Sequence, residues 1–221
     1  MPRTAIDHIV ITAPSLADGV EYVRRALGVA LEIGGEHPRM GTHNCLLRLG
    51  NEIFLEVIAV NPDAARPDRP RWFQLDELAP DCLPRLATWV ARTSDIYAAV
   101  AAVAASPVPV GEIEPMTRGQ LNWLISIPAD GRLPFHGIVP ALIEWQTETH
   151  PASKLQDLGC SLIRLEAFHA EAEQINQMLA RLGFDDAFSA TPIAAGEQPW
   201  LIAHIQTPAG PRQLGAPVIH R

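Results

Sequence analysis

Three side chains stand out because of their neighbours. His8 lies in the run Ile6-Asp-His-Ile-Val-Ile-Thr-Ala-Pro14, Glu56 in Ile53-Phe-Leu-Glu-Val-Ile-Ala-Val60, and Glu144 in Ala141-Leu-Ile-Glu-Trp145. Such β-branched, apolar runs read as strands, in which side chains alternate between two faces. Parity then sets His8, Val10 and Thr12 opposite Ile9 and Ile11, and Phe54, Glu56 and Ile58 opposite Ile53, Leu55 and Val57. On the same count Leu142 and Glu144 face away from Ala141, Ile143 and Trp145, which go under a helix. A buried carboxylate without a partner is costly or must take up a proton, so a cation or a polar cleft is the natural setting for both glutamates. An imidazole on a first strand and a carboxylate on a fourth, with a second carboxylate in the next repeat, suit a metal ion held between paired modules. Either carboxylate also has the chemistry of a general base.

Further polar residues fall on the same strands. Asn44 and Arg48 share a face by parity, and their counterparts in the second repeat are Asn122 and Ser126. Thr88 takes the slot of His8 when the two repeats are aligned, and it joins these four as a candidate substrate contact. An arginine between apolar neighbours, as Arg48 is, can clamp a carboxylate with two parallel hydrogen bonds or snorkel to solvent. His37, His43 and His136 sit beside turns and are the reserve ligands should the register slip by one residue. The tryptophans read as core. No GxSxG elbow or phosphate loop occurs, and Gly34-Gly35 signals no more than a turn.

The elements that must position these groups repeat along the chain. After the first strand, Ser15 begins a helix with a stripe at Leu16, Val20, Val23 and Leu27, stopped by Gly28. Strands are predicted at 30–34, 43–49 and 53–60, then a Pro-, Arg- and Asp-rich connection over 61–84. The order restarts with a strand at 86–91, a helix capped by Ser94-Asp95, and strands at 108–112, 121–127 and 141–146. It restarts again with a strand at 162–168, a helix ending at Gly183, and extended segments at 188–194 and 200–206. The expected fold is α+β, with paired βαβββ modules over residues 1–84 and 85–150 and a partial third βαββ module over 151–221.

Composition narrows the function classes. The 221 residues include 20 prolines, which exclude a long-helix bundle. A formal charge of -8 speaks against a nucleic-acid partner. Three scattered cysteines, no apolar leader and no run near membrane-span length predict a soluble cytoplasmic protein without membrane association, monomeric or homodimeric.

The strings Asp7-His-Ile-Val-Ile, Gly41-Thr-His-Asn-Cys-Leu-Leu-Arg-Leu-Gly50 with Phe54-Leu-Glu-Val-Ile-Ala59, and His136-Gly-Ile-Val-Pro-Ala-Leu-Ile-Glu-Trp145 leading to Thr149-His-Pro151 resemble the glyoxalase-like domain family. That family belongs to the vicinal oxygen chelate superfamily, whose βαβββ units pair around a curved cleft. The resemblance implies metal positions at His8, Glu56 and Glu144, with Thr88 in place of a fourth ligand. It implies either of two functions. One is an isomerase or lyase in which a divalent Zn, Ni, Mn or Fe ion chelates two neighbouring oxygens of a small substrate and Glu56 or Glu144 serves as base. The other is a metal-free protein that binds or sequesters a small, oxygen-rich or weakly acidic molecule, as bleomycin-resistance proteins do. An extradiol-type dioxygenase fits less well, because its iron site needs two histidines and these slots supply one.

Overall fold

The alternation read from the first strand holds in three dimensions. The computed structural model describes residues 2–215. In it β1 (Thr4–Thr12) buries Ile9 and Ile11 beneath α1 (Leu16–Leu27) and turns His8 and Val10 to the other side. The Ser15 side chain accepts from the Asp18 N–H at the start of α1, and Gly28 ends it at φ 74°, a left-handed conformation that glycine adopts without strain. β2 (Glu32–His37), β3 (Thr42–Arg48) and β4 (Phe54–Val60) complete the first module. β5 (Arg85–Thr93), α2 (Ile96–Ala102), β6 (Glu112–Arg118), β7 (Leu121–Ile127) and β8 (Ala141–Trp145) form the second in the same order.

The two modules join edge to edge. Ile9 on β1 pairs with Trp89 on β5 in an antiparallel ladder, giving one eight-stranded sheet in the order β2-β3-β4-β1-β5-β8-β7-β6. The sheet curls until its outermost strands meet, where Arg118 on β6 donates to His37 on β2. Its convex face carries the helices and the main core, including Leu55, Trp89 and Leu142. Its concave face carries Val10, Ile58, Val90, Trp123, Ile125 and Ile143.

The third segment follows the expected strand, helix, strand, strand order in β9 (Ser161–Phe168), α3 (Ala172–Arg181), β10 (Phe188–Thr191) and β11 (Trp200–Thr207), and adds β12 (Gly210–Leu214). It forms its own sheet in the order β10-β9-β11-β12, wired differently from the first two modules because β10, not the last strand, lies parallel beside β9. It packs on the convex side, where Phe184 and Phe188 meet the Trp89 ring at 5.1 and 5.0 Å. Residues 216–221 of this segment lie outside the described range. Among the described residues, no helix is long and apolar enough to cross a membrane.

Two expectations change. The strand predicted at 108–112 lies instead at Glu112–Arg118, because Pro107 and Pro109 cannot donate to a ladder, whereas Pro115 is tolerated on the edge strand that β6 forms. The connection over 61–84 is a strap across the concave face: its short 3-10 turn, Trp72–Glu77, buries Trp72, Phe73 and Leu75 against the second module.

Candidate functional site

The concave face of the first module carries a continuous line of polar groups. It begins at Asp7, where the β1–β5 ladder shifts register between Ile6 and His8. Such a bulge re-aims side chains. The Asp7 carboxylate is fully buried and accepts three hydrogen bonds: from His8 Nδ1 at 2.6 Å, His150 Nε2 at 3.0 Å and Trp145 Nε1 at 2.8 Å. The His150 tautomer follows from its other nitrogen, since Nδ1 accepts the Ala152 N–H at 3.2 Å. Burial opposes ionisation of Asp7, but the hydrogen bonds from His150 and His8 outweigh it and hold the carboxyl well below the usual carboxylate range.

His8 thus has Nδ1–H committed to Asp7 and presents Nε2 to the cleft, 3.7 Å from Glu56 Oε2. Its ring is stacked on Phe54, centroids 4.4 Å apart. Glu56 Oε1 accepts from Asn44 Nδ2 at 2.5 Å, and Asn44 Oδ1 accepts from Arg118 Nη1 at 3.1 Å. The same Nη1 donates to His37 Nε2 at 3.1 Å, so His37 donates through Nδ1 to Thr42 Oγ1, also at 3.1 Å. Burial, with Arg118 and His8 nearby, pushes His37 down to about 3 and keeps it a neutral acceptor. Burial also lowers Arg118 from its ordinary value, against the pull of Glu56. A guanidinium nevertheless stays charged.

The facing wall is apolar. Trp123, Ile125, Ile143 and Trp145 come from the second module and Trp72 and Phe73 from the strap, leaving a cavity of about 30 Å³ between the walls.

The structure places His8, Glu56 and Asn44 on one wall of the cleft, with the reserve ligand His37 beside them. It separates the others. Glu144 is on the helix side, where it accepts the Ile96 N–H of α2 at 2.8 Å. Ile143 and Trp145 face the cleft in its place, paired with Ile125 and Trp123. Arg48 donates to the Gly50 carbonyl and Asn51 Oδ1, holding the β3–β4 turn. Thr88 pairs with Val10 and donates its hydroxyl to the Trp89 carbonyl. Asn122 is exposed, and Ser126 Oγ accepts the Leu142 N–H at 2.9 Å. On β7 the match between the repeats is one residue out of step, and on β8 the parity count has the wrong phase; either slip puts every side chain on the other face. His136 lies beside His169, ring centroids 5.9 Å apart, on neither wall of the cleft.

Asp7, His150, Trp145 and Arg118 were missed. The signal for Asp7 was available, since a carboxylate inside an apolar strand demands donors. Two of its three partners, Trp145 and His150, stand 138 and 143 residues away in sequence, beyond any local pattern.

The donor set does not fit a divalent ion. His8 Nε2 and Glu56 supply two donors, whereas a catalytic zinc takes three protein ligands. Asp7 and His150 are bound to each other behind His8, and the next polar group along the cleft, beyond Asn44, is a guanidinium. Among the described residues no cluster of three His, Cys, Asp or Glu side chains is arranged to hold a metal.

The chain is similar to several known proteins. A solved structure of a hypothetical protein from Staphylococcus aureus is 16% identical, with 86% of each chain covered and a TM-score of 0.58. A methylmalonyl-CoA epimerase in complex with methylmalonyl-CoA and NH4+ is 20% identical over 67% of this chain and 99% of its own, at a TM-score of 0.44. The epimerase from Mycobacterium tuberculosis is 15% identical over 63% and 85%, at 0.40. No curated protein matches the chain in sequence. The family model for the glyoxalase-like domain matches residues 6–183, through both modules and into the third segment, and the chain therefore belongs to the glyoxalase-like domain family of the vicinal oxygen chelate superfamily.

Proposed function

We propose that the protein is an isomerase or lyase that moves a proton on a small, oxygen-rich molecule held in the concave face, with His8 as the proton carrier. The observation that carries this reading is the Asp7–His8 pair: a fully buried carboxylate with three donors fixes the ring so that Nε2 meets the cleft beside Glu56. A carboxylate that orients an imidazole and stabilises its protonated form is a recurring device of general-base catalysis. In the forward step the lone pair of Nε2 takes a proton from a carbon next to a carbonyl group, and the C–H electrons pass to the carbonyl oxygen as an enolate. When the α-carbon carries a hydroxyl, Glu56 carries the hydroxyl proton to the enolate oxygen and His8 returns its proton to the former carbonyl carbon, which gives the isomer; when the β-carbon carries a leaving group, the enolate collapses back to the carbonyl and that group departs with its electron pair, which gives the lyase product. Glu56 is the second group able to hold a proton at that place. No step passes through a metal, because the third expected ligand, Glu144, is spent on α2.

A second reading, binding without turnover, draws on the enclosure of the cleft by Trp72 and Phe73. Proton washout separates the two. A panel of small 2-oxo and 2-hydroxy acids in D2O, followed by proton NMR, is expected to show exchange of the α-proton with at least one compound, lost in His8→Gln while binding persists. Compounds that bind and never exchange establish the second reading.

A further inference from the structure

Most partly buried arginines of this protein close on a carboxylate: Arg71 on Asp76, Arg69 on Glu114 and Arg92 on Glu52. Arg118 does not. Its Nη1 is shared between two neutral acceptors, His37 Nε2 and Asn44 Oδ1, and among the described residues no carboxylate lies within ion-pair distance of it and no acceptor meets its Nε or Nη2. The fold makes room for this arrangement. A Cβ on Gly35 would lie 3.2 Å from Arg118 Cδ, and one on Gly34 would lie 2.2 Å from Asn44 Oδ1, so the glycine pair of β2 is a cradle for the arginine and the asparagine that holds it. Trp72 also lines this cavity; it is 4% exposed, and its indole N–H is buried without an acceptor.

We infer that the cleft is built for a small monocarboxylate with a flat apolar or aromatic body, its carboxylate on Arg118 and its body between the Trp123–Trp145 wall and the Trp72–Phe73 strap. A guanidinium offers two parallel N–H bonds that match a carboxylate, and an acceptor at the cavity answers the orphan indole as well. Glu56 lies near enough to influence Arg118, so one cation beside one carboxylate suits a singly charged ligand better than a phosphate dianion. Trp72 and Phe73 are stacked at 5.5 Å and Trp123 and Trp145 meet at 5.4 Å, which gives the flat body aromatic surface on two sides. The 30 Å³ cavity holds about one water, so the strap must swing outward to admit such a molecule. Phe73 and Gln74, at φ 56° and 55°, are non-glycine residues in the left-handed region, and this strain sits in the segment that has to move.

The inference rests on the cleft being the binding site, and not on His8 carrying a proton. Titration of the full chain with benzoate, benzamide and phenyl phosphate, read by calorimetry and by tryptophan fluorescence, tests it. Benzoate is expected to bind about tenfold or more tighter than benzamide, as charge-assisted hydrogen bonds do over neutral ones. Arg118→Gln is expected to abolish that preference and leave benzamide unchanged, with Arg118→Lys between them. Equal affinity for benzoate and benzamide, binding of neither, preference for phenyl phosphate, or an unchanged preference in Arg118→Gln overturns it. The comparison in the parent protein decides even if the variant does not fold. A protein that selects benzoate but exchanges no proton keeps this inference and loses the proton-transfer reading; one that exchanges protons on neutral ketones and ignores benzoate does the reverse.

Discussion

The two halves of the eight-stranded sheet share an element order and meet along β1 and β5, yet their concave faces differ in kind. The first half presents His8, His37, Asn44 and Glu56. The second presents Trp123, Ile125, Ile143 and Trp145, with Arg118 alone at its far edge. The scaffold does not impose this division, since corresponding strands carry polar residues in one half and apolar ones in the other. A polar line on one wall can be satisfied along its own length, while the opposite wall excludes water and lowers the local dielectric around it. Among the described residues the second wall offers no side chain suited to share a metal with His8 and Glu56.

The largest expected effect comes from cutting the polar line at its root. Asp7→Ala removes the acceptor of three buried donors and leaves His8, His150 and Trp145 unsatisfied. By analogy with breaking a buried ionic group, the loss is about 3–5 kcal/mol, read from the urea midpoint. Ile143→Val on the opposite wall removes one methylene and should cost only about 0.5–1.5 kcal/mol. If the two variants lose the same stability, the polar line is not the organised half of the site.

Acid should weaken the two walls unequally. The folded pKa of His37 is pushed down to about 3 from an ordinary 6.5, so between these values the unfolded chain holds a proton that the folded protein refuses. Stability therefore rises with pH through that window and falls as the pH drops from 6.5 towards 3. One such group gives a slope of up to about 1.4 kcal/mol per pH unit. Asp7, also depressed, adds the same sign only below its ordinary value of 3.8. His37→Gln should flatten the slope between pH 4.5 and 6.5 in urea titrations, and an unaltered slope would assign the acid response elsewhere.

The same contrast marks what could be read from the chain alone. From His8 to Ile11 in β1 and along β4 the residues alternate between cleft and helix side, so parity puts His8 and Glu56 on the cleft face, and β3 brings Asn44 there too. In the second half the prolines near residue 108 displaced β6, and with it Arg118, which closes the cleft. The repeat alignment runs one residue out of step in β7, and the parity count takes the wrong phase in β8, which exchanges their faces. The Asp7 cluster escaped for a different reason. It depends on a bulge in β1 and on a loop after β8, and neither has a local sequence period. The strap resembles a linker because it is rich in proline, arginine and aspartate, although Trp72, Phe73 and Leu75 are buried.

The smallest expected effect separates the two glutamates that alternation first picked out together. Glu144 accepts the Ile96 N–H at 2.8 Å and a hydrogen bond from Gln146 Nε2 at 2.6 Å, so its work is to satisfy a donor at the start of α2 beside the Asp95 cap. α2 spans seven residues, too few to be stable without such help. Glu144→Ala should cost about 1 kcal/mol, as the loss of a helix cap does, and leave benzoate affinity unchanged. Glu56→Gln removes the negative charge near Arg118 and should tighten benzoate binding, because that carboxylate no longer competes for the guanidinium. Calorimetry on the two variants places each residue: a change in benzoate affinity on losing Glu144, with none on losing Glu56, would return the second glutamate to the cleft and reverse the face assigned to β8.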